Sequence, residues 1–95
     1  MYYNIKHLNM DTIELFKKLQ SESLELVIKK NNDYGNAFSE FGTIGILIRI
    51  FDKLKRYISI TNNNVQLVND ESLRDTLIDL QNYASLAIIT LDNSK

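Results

Sequence analysis

Arg49, Asp52, Lys53 and Arg56 recur at i, i+3, i+4 and i+7, the spacing that puts side chains on one face of a helix. The segment around them, Ile44 to Phe51, is otherwise apolar. Burying an unpaired charge costs several kcal/mol in practice, so Arg49 must meet either an acid or an anionic ligand. A complementary row follows later in the chain. Glu71, Asp75, Asp79 and Asn82 fall at i, i+4, i+8 and i+11, within an arc of about 80° on a helix. If the two rows face each other, they can neutralise each other in a salt-bridged interface or line a site for a charged ligand. Apolar packing would hold two helices together at least as well as a buried ionic stripe, which favours the site. Its chemistry would be anion binding, with Arg49, Lys53 and Arg56 on phosphate groups and the acids and Asn82 as the far wall.

Two further groups bear on that chemistry. From Asn31 to Gly42 the pattern reads as a long loop containing Asp33, Tyr34, Phe38 and Phe41, and loops of that length in compact domains tend to be functional. Lys30 stands at its start. Aromatic rings beside cations can stack on a base while the cations hold phosphates. Tyr34 is the candidate for the stacking face, and Asp33 suits either a loop cap or acceptance from a ribose hydroxyl. Phe38 and Phe41 suit plugging the end of the helices. Glu22 and Glu25 have the i, i+3 spacing at which two carboxylates can share a divalent cation, but Lys18–Glu22 and Glu25–Lys29 are also i, i+4 pairs that account for the pattern as surface ion pairs. The single histidine, His7, and the absence of cysteine leave no basis for a histidine triad, a zinc-thiolate site or a thiol nucleophile.

The elements that must position these residues read as helices. The 95 residues are 44% hydrophobic and 24% charged, ordinary globular composition sufficient for one domain over residues 1–95. Proline is absent, and Gly35, Gly42 and Gly45 are the only glycines. Asp11 or Thr12 can cap a first helix from about 12 to 30, with Ile13, Phe16, Leu19, Leu26 and Val27 at helical spacing and Asn31-Asn32 as its stop. A second, mostly buried helix capped by Thr43 runs to about Ile60. After the polar turn at Thr61 to Asn64, a third, capped by Asn69 or Asp70, runs from about 71 to 91, with Leu73, Leu77, Leu80, Ala84 and Ala87 inward. The expected fold is an all-α bundle of three main helices.

Charge and hydropathy narrow the partners. The net charge is −1, not the basic footprint of a non-specific nucleic-acid binder. Residues 1–60 hold nine Lys/Arg against seven Asp/Glu, and residues 61–95 two against five. No stretch is apolar enough to span a bilayer or serve as a signal peptide, so a cytoplasmic location is expected. A small core and a nearly all-round apolar second helix call for self-association, as a dimer or tetramer, through Ile44, Ile48 and Phe51.

Three blocks together, Lys30-x-x-Asp33-Tyr34-Gly35, Arg49-x-x-Asp52-Lys53-x-x-Arg56 and Asp70-Glu71-x-x-x-Asp75-Thr76-x-x-Asp79-Leu80-x-Asn82-Tyr83, resemble the first nucleotide-modification-associated domain family of phages and bacteria, over about residues 30–91. That family is thought to be related to the MazG-like all-α nucleotide pyrophosphohydrolases, which are oligomeric and use magnesium held by helix carboxylates. The resemblance implies a helical, self-associating, nucleotide-binding protein. Two functions follow. One is capture of a nucleotide or nucleotide-derived signal without any cofactor, for example by a phage protein that sequesters a nucleotide messenger of host defence, acting in the host cytoplasm. Its ligand set would be Lys30, Asp33, Tyr34, Arg49, Lys53, Arg56, Asp75, Asp79 and Asn82. The alternative is a magnesium-dependent pyrophosphohydrolase or a nucleotide-modification accessory protein, with Glu71, Asp75 and Asp79, and more weakly Glu22 and Glu25, on the metal.

Overall fold

The computed structural model describes residues 7–39, 41–62 and 70–94. Within them the chain is helical, with no strand: α1 (Met10–Lys29), α2 (Asn31–Ser39), α3 (Gly42–Asn62) and α4 (Asp70–Asn93). The three long helices are those the periodicity predicts, each extended by one to three residues at one or both ends. Asn9, rather than Asp11 or Thr12, is the first cap, its side-chain oxygen accepting from the Thr12 amide at 2.8 Å. Asn69 and the end of the expected polar turn lie outside the described residues.

The fourth helix is the main departure from the expected bundle. Asn31-Asn32 does not stop the chain in a loop. The Lys30 amide still bonds to the Leu26 carbonyl at 2.9 Å, and the Tyr34 amide bonds to the Lys30 carbonyl at 3.1 Å, so α2 starts one residue after α1 ends. Its residues are poor helix formers, and it is held by what it buries. Tyr34 and Ala37, one turn apart, enter a core with Ile46 of α3 and Tyr83 and Ala87 of α4, with Leu26, Val27, Ile50 and Leu86 packed against it. Phe38 beside them is half-buried. Phe41 is exposed and does not plug the bundle.

Gly42 opens α3 with φ +63°, a left-handed conformation that costs other residues about 1–2 kcal/mol. Three residues on, a Cβ at Gly45 would stand 2.9 Å from the Phe41 Cβ, so the second glycine makes room for the chain entering the helix. α3 then packs along α4, and α1 also packs against α4. The expected inward row of α4 is corrected by this arrangement. Ile78, Asn82, Tyr83 and Ala87 are buried, whereas Leu77 and Ala84 face out. α3 is likewise less buried than its apolar composition implies, with Ile46 alone fully enclosed among its described side chains.

Candidate functional site

At the centre of the α2, α3 and α4 packing is a line of polar side chains. Asn82, buried on α4, donates from Nδ2 to the Ser23 carbonyl of α1 at 3.3 Å and to the Tyr34 hydroxyl at 3.2 Å. Tyr34 in turn donates to Asp79 Oδ1 at 2.5 Å. The other carboxylate oxygen of Asp79 lies 3.2 Å from Lys53 Nζ, which stands 5.9 Å from the centre of the Tyr83 ring. Tyr83 packs tilted against Tyr34 with centroids 5.3 Å apart. Tyr34 is 3% exposed. Burial, then its bond to the Asp79 carboxylate, push its phenol well above the ordinary range, so Tyr34 is a hydrogen-bond donor at any physiological pH.

This line forms the floor of an open cleft of about 460 Å³, within the size range of small-molecule sites. Lys30, Asp33 and Asn36 come to it from the α1–α2 joint and α2, Arg49 and Lys53 from α3, and Asp79 and Tyr83 from α4, with Tyr34 below. Six residues singled out in the sequence, Lys30, Asp33, Tyr34, Arg49, Lys53 and Asp79, are thus brought together. Three cations and two carboxylates converge where two aromatic rings are packed. The cleft can hold an anion against Lys30, Arg49 and Lys53 and present Asp33 and Asn36 to hydroxyl or amide groups.

Several expectations are corrected. Tyr34 lines the cleft from beneath and has no exposed face for a base, because α2 turns its ring into the core. Asn82 does not line the cleft and meets it only through its bond to the Tyr34 hydroxyl. Arg49 is only half-buried, and Arg56 is exposed and does not line the cleft. Asp75 is exposed and lines a separate groove with Glu22, Glu25 and Lys29. Glu22 receives two hydrogen bonds from Arg74 of α4, at 2.5 and 2.7 Å, in place of the lysine pair that spacing suggests. The Arg74 guanidinium holds its carboxyl below the usual range. Asn36 and Tyr83 join the site although neither belongs to the ligand set expected from the sequence. Tyr83 stands four residues after Asp79, the spacing that marks a shared helix face, but Asn36 gives no signal while its segment reads as a loop.

The magnesium set the resemblance implies, Glu71, Asp75 and Asp79, is described only in part. Mg²⁺ requires near-octahedral oxygen ligation, yet Asp79 is committed to Tyr34 and Lys53, Asp75 faces the other groove and Glu22 is held by Arg74. Among the described residues no group of three or more His, Cys, Asp or Glu side chains is placed to hold a metal ion. The Glu71 side chain lies outside those described.

Residues 30–91 match the family model described as nucleotide modification associated domain 1. The chain belongs to that family. The match begins at Lys30 and takes in α2, α3 and most of α4, so every residue lining the cleft falls within the nucleotide modification associated domain and α1 falls outside it. Searches of curated proteins and of solved structures found no match. No described helix is long and apolar enough to cross a membrane.

Proposed function

We propose that this domain binds a nucleotide or nucleotide-derived signalling molecule in the α2–α3–α4 cleft and captures it rather than transforming it. The observation that carries this reading is the convergence of Lys30, Arg49 and Lys53 in one cleft whose acidic members are tied up or peripheral. Phosphate oxygens would take Arg49, whose planar guanidinium suits bidentate contact, and the two lysines as point charges. Asp33, exposed at the rim, would accept from a ribose hydroxyl. Hydrolysis would need a held metal or a positioned base as well as a water, and the described carboxylates are arranged for neither. If the gene is carried by a phage, sequestering a nucleotide messenger of host defence is the role that demands only binding.

The test is calorimetric titration of the full-length protein with linear and cyclic mono- and dinucleotides, with and without Mg²⁺, followed by recovery of the ligand. Saturable binding independent of Mg²⁺, with intact ligand recovered, is expected. Arg49→Ala in a folded protein should weaken it at least tenfold, the scale of one charge-assisted hydrogen bond. Failure of the native protein to bind any of the panel would refute the reading, and Mg²⁺-dependent turnover would replace capture with hydrolysis.

A further inference from the structure

The two helices that wall the cleft line it with different chemistry. From α3 come Arg49 and Lys53, one helical step of about 6 Å apart along the axis, and this side is cationic. From α2 come Asp33 and Asn36, at the i, i+3 spacing that puts both on one face. Both are exposed. Ser39 bonds to the backbone carbonyl of Asn36, and among the described residues neither side chain of the pair has a hydrogen-bond partner. Asp79 is already bonded to Tyr34 and Lys53. A ligand that fills the cleft must therefore bring anionic oxygens to α3 and hydrogen-bond donors to α2. A pentose carrying a phosphate and neighbouring hydroxyls brings both.

A means of reading a base is what the lining lacks. Its aromatic rings are Tyr34 and Tyr83, 3% and 6% exposed, and rings so enclosed present no face on which a base could stack. Reading a base edge by hydrogen bonds takes a side chain with paired groups, such as arginine, asparagine or glutamine. In this cleft those are Arg49, which the phosphate would occupy, and Asn36, which stands one turn from Asp33 within reach of the next hydroxyl of the same sugar. The base is left at the open mouth of the cleft, in solvent.

We infer, resting on the nucleotide reading of the cleft, that its ligands are ribonucleotides recognised through sugar and phosphate, with Asp33 accepting from the 2′-hydroxyl, Asn36 bonding the adjacent hydroxyl, and the base unread. A carboxylate suits the task because it only accepts, so a hydroxyl must donate to it. The 2′-hydroxyl is the donor that separates ribose from deoxyribose. The charge of Asp33 also repels phosphate, which keeps the anionic end of the ligand on the α3 side. A site that buries its partner for a substrate hydroxyl rejects the analogue without it by roughly 10⁴-fold. Asp33 is exposed, so water takes the place of the missing hydroxyl and a preference of about tenfold is expected.

Calorimetric titration of the full-length protein with the 5′-monophosphates of adenosine, guanosine, cytidine and uridine, and with the 2′-deoxy form of each, tests both parts. Each ribonucleotide should bind about tenfold more tightly than its deoxy form, and the four should agree within about threefold. In Asp33→Ala the ratio of the two sugars should fall to near one. That ratio is the readout, because loss of the Asp33 charge raises the affinity of every phosphate alike and any loosening of α2 lowers it alike. Comparable binding of the two sugars by the native protein, a wider preference for one base, or an unchanged ratio in Asp33→Ala would each overturn the inference. So would failure of all the monophosphates while a cyclic nucleotide or a dinucleotide binds, an outcome that leaves the binding reading in place. Failure of every nucleotide removes both.

Discussion

Replacing Tyr34 by Phe removes one oxygen atom and keeps the ring that packs 5.3 Å from Tyr83. What is lost is the bond donated to Asp79 and the bond accepted from Asn82. The two partners differ in how well they recover. The Asp79 side chain is 21% exposed and keeps Lys53, so water replaces part of its loss. Asn82 is 5% exposed and keeps only the Ser23 carbonyl on that amide nitrogen. Leaving a buried polar group short of a partner costs about 1–3 kcal/mol, with the upper end reserved for groups that water cannot reach. We expect Tyr34→Phe to destabilise by about 2 kcal/mol, seen as a fall of the urea midpoint on the order of 1 M at unchanged slope. Protein concentration must be held constant across variants, because any self-association would contribute to apparent stability. Asp79→Asn completes the cycle. If the hydroxyl–carboxylate contact is energetically real, the double variant should depart from additivity by at least about 0.5 kcal/mol. Additivity within about 0.3 kcal/mol would refute the claim that Tyr34 anchors Asp79, even if both single variants are destabilised.

The raised phenol of Tyr34 makes a second prediction: the unfolded chain loses this proton near pH 10 while the folded chain keeps it. Stability should therefore fall as pH rises past 10, by up to about 1.4 kcal/mol per pH unit from this group, and Tyr34→Phe should flatten that part of the profile. Glu22 has the opposite sense. Its carboxyl is held down by Arg74, so the pair stabilises above the ordinary carboxylate range and fades as pH falls below about 4.5, and Glu22→Gln should remove that dependence from an acid-unfolding curve. Gly42→Ala, at positive φ, should cost about 1–2 kcal/mol. Gly35→Ala, inside α2 with open space around the position of its Cβ, should stabilise by up to about 1 kcal/mol, and thermal melts of the pair would separate the two glycine roles.

The long helices were legible because apolar residues at three- and four-residue steps, sustained over five turns without a breaker, fit a helix and do not fit the two-residue period of a strand. The short one was not. Asn31, Asn32, Asp33 and Gly35 argue against a helix locally, and only the docking of Tyr34 and Ala37 against Ile46 and Tyr83 holds one there. Periodicity also cannot tell an inward row from a row left for another surface, so Phe16, Leu77 and Ala84 read as core yet face outward. The charged rows were half legible. Lys53 and Asp79 do meet, as facing rows should. Asp75 does not join them, because one step of four residues shifts a side chain about 6 Å along the axis and 40° around it, enough to turn it from the α3 side of α4 toward α1.

The tether on Lys53 has a consequence for the anion binding proposed for the cleft. A lysine on the surface samples many rotamers, and fixing it on a ligand costs about 0.5–1.5 kcal/mol. Here Asp79 holds the ammonium over Tyr83 before anything arrives, and Tyr34 and Asn82 hold Asp79. The ordering has been done by the fold, so more of the contact energy appears as affinity. The same carboxylate is also a resident competitor. A weak monoanion gains little by intruding on an existing ion pair, whereas a phosphate with two negative charges can share the lysine and still engage Arg49. Lys30, exposed at the rim, is under no such restraint and can reach outward to meet the ligand. Under the proposed binding, one cation would govern arrival and another discrimination, a division of labour between rate and selectivity set by which lysine the core holds fast.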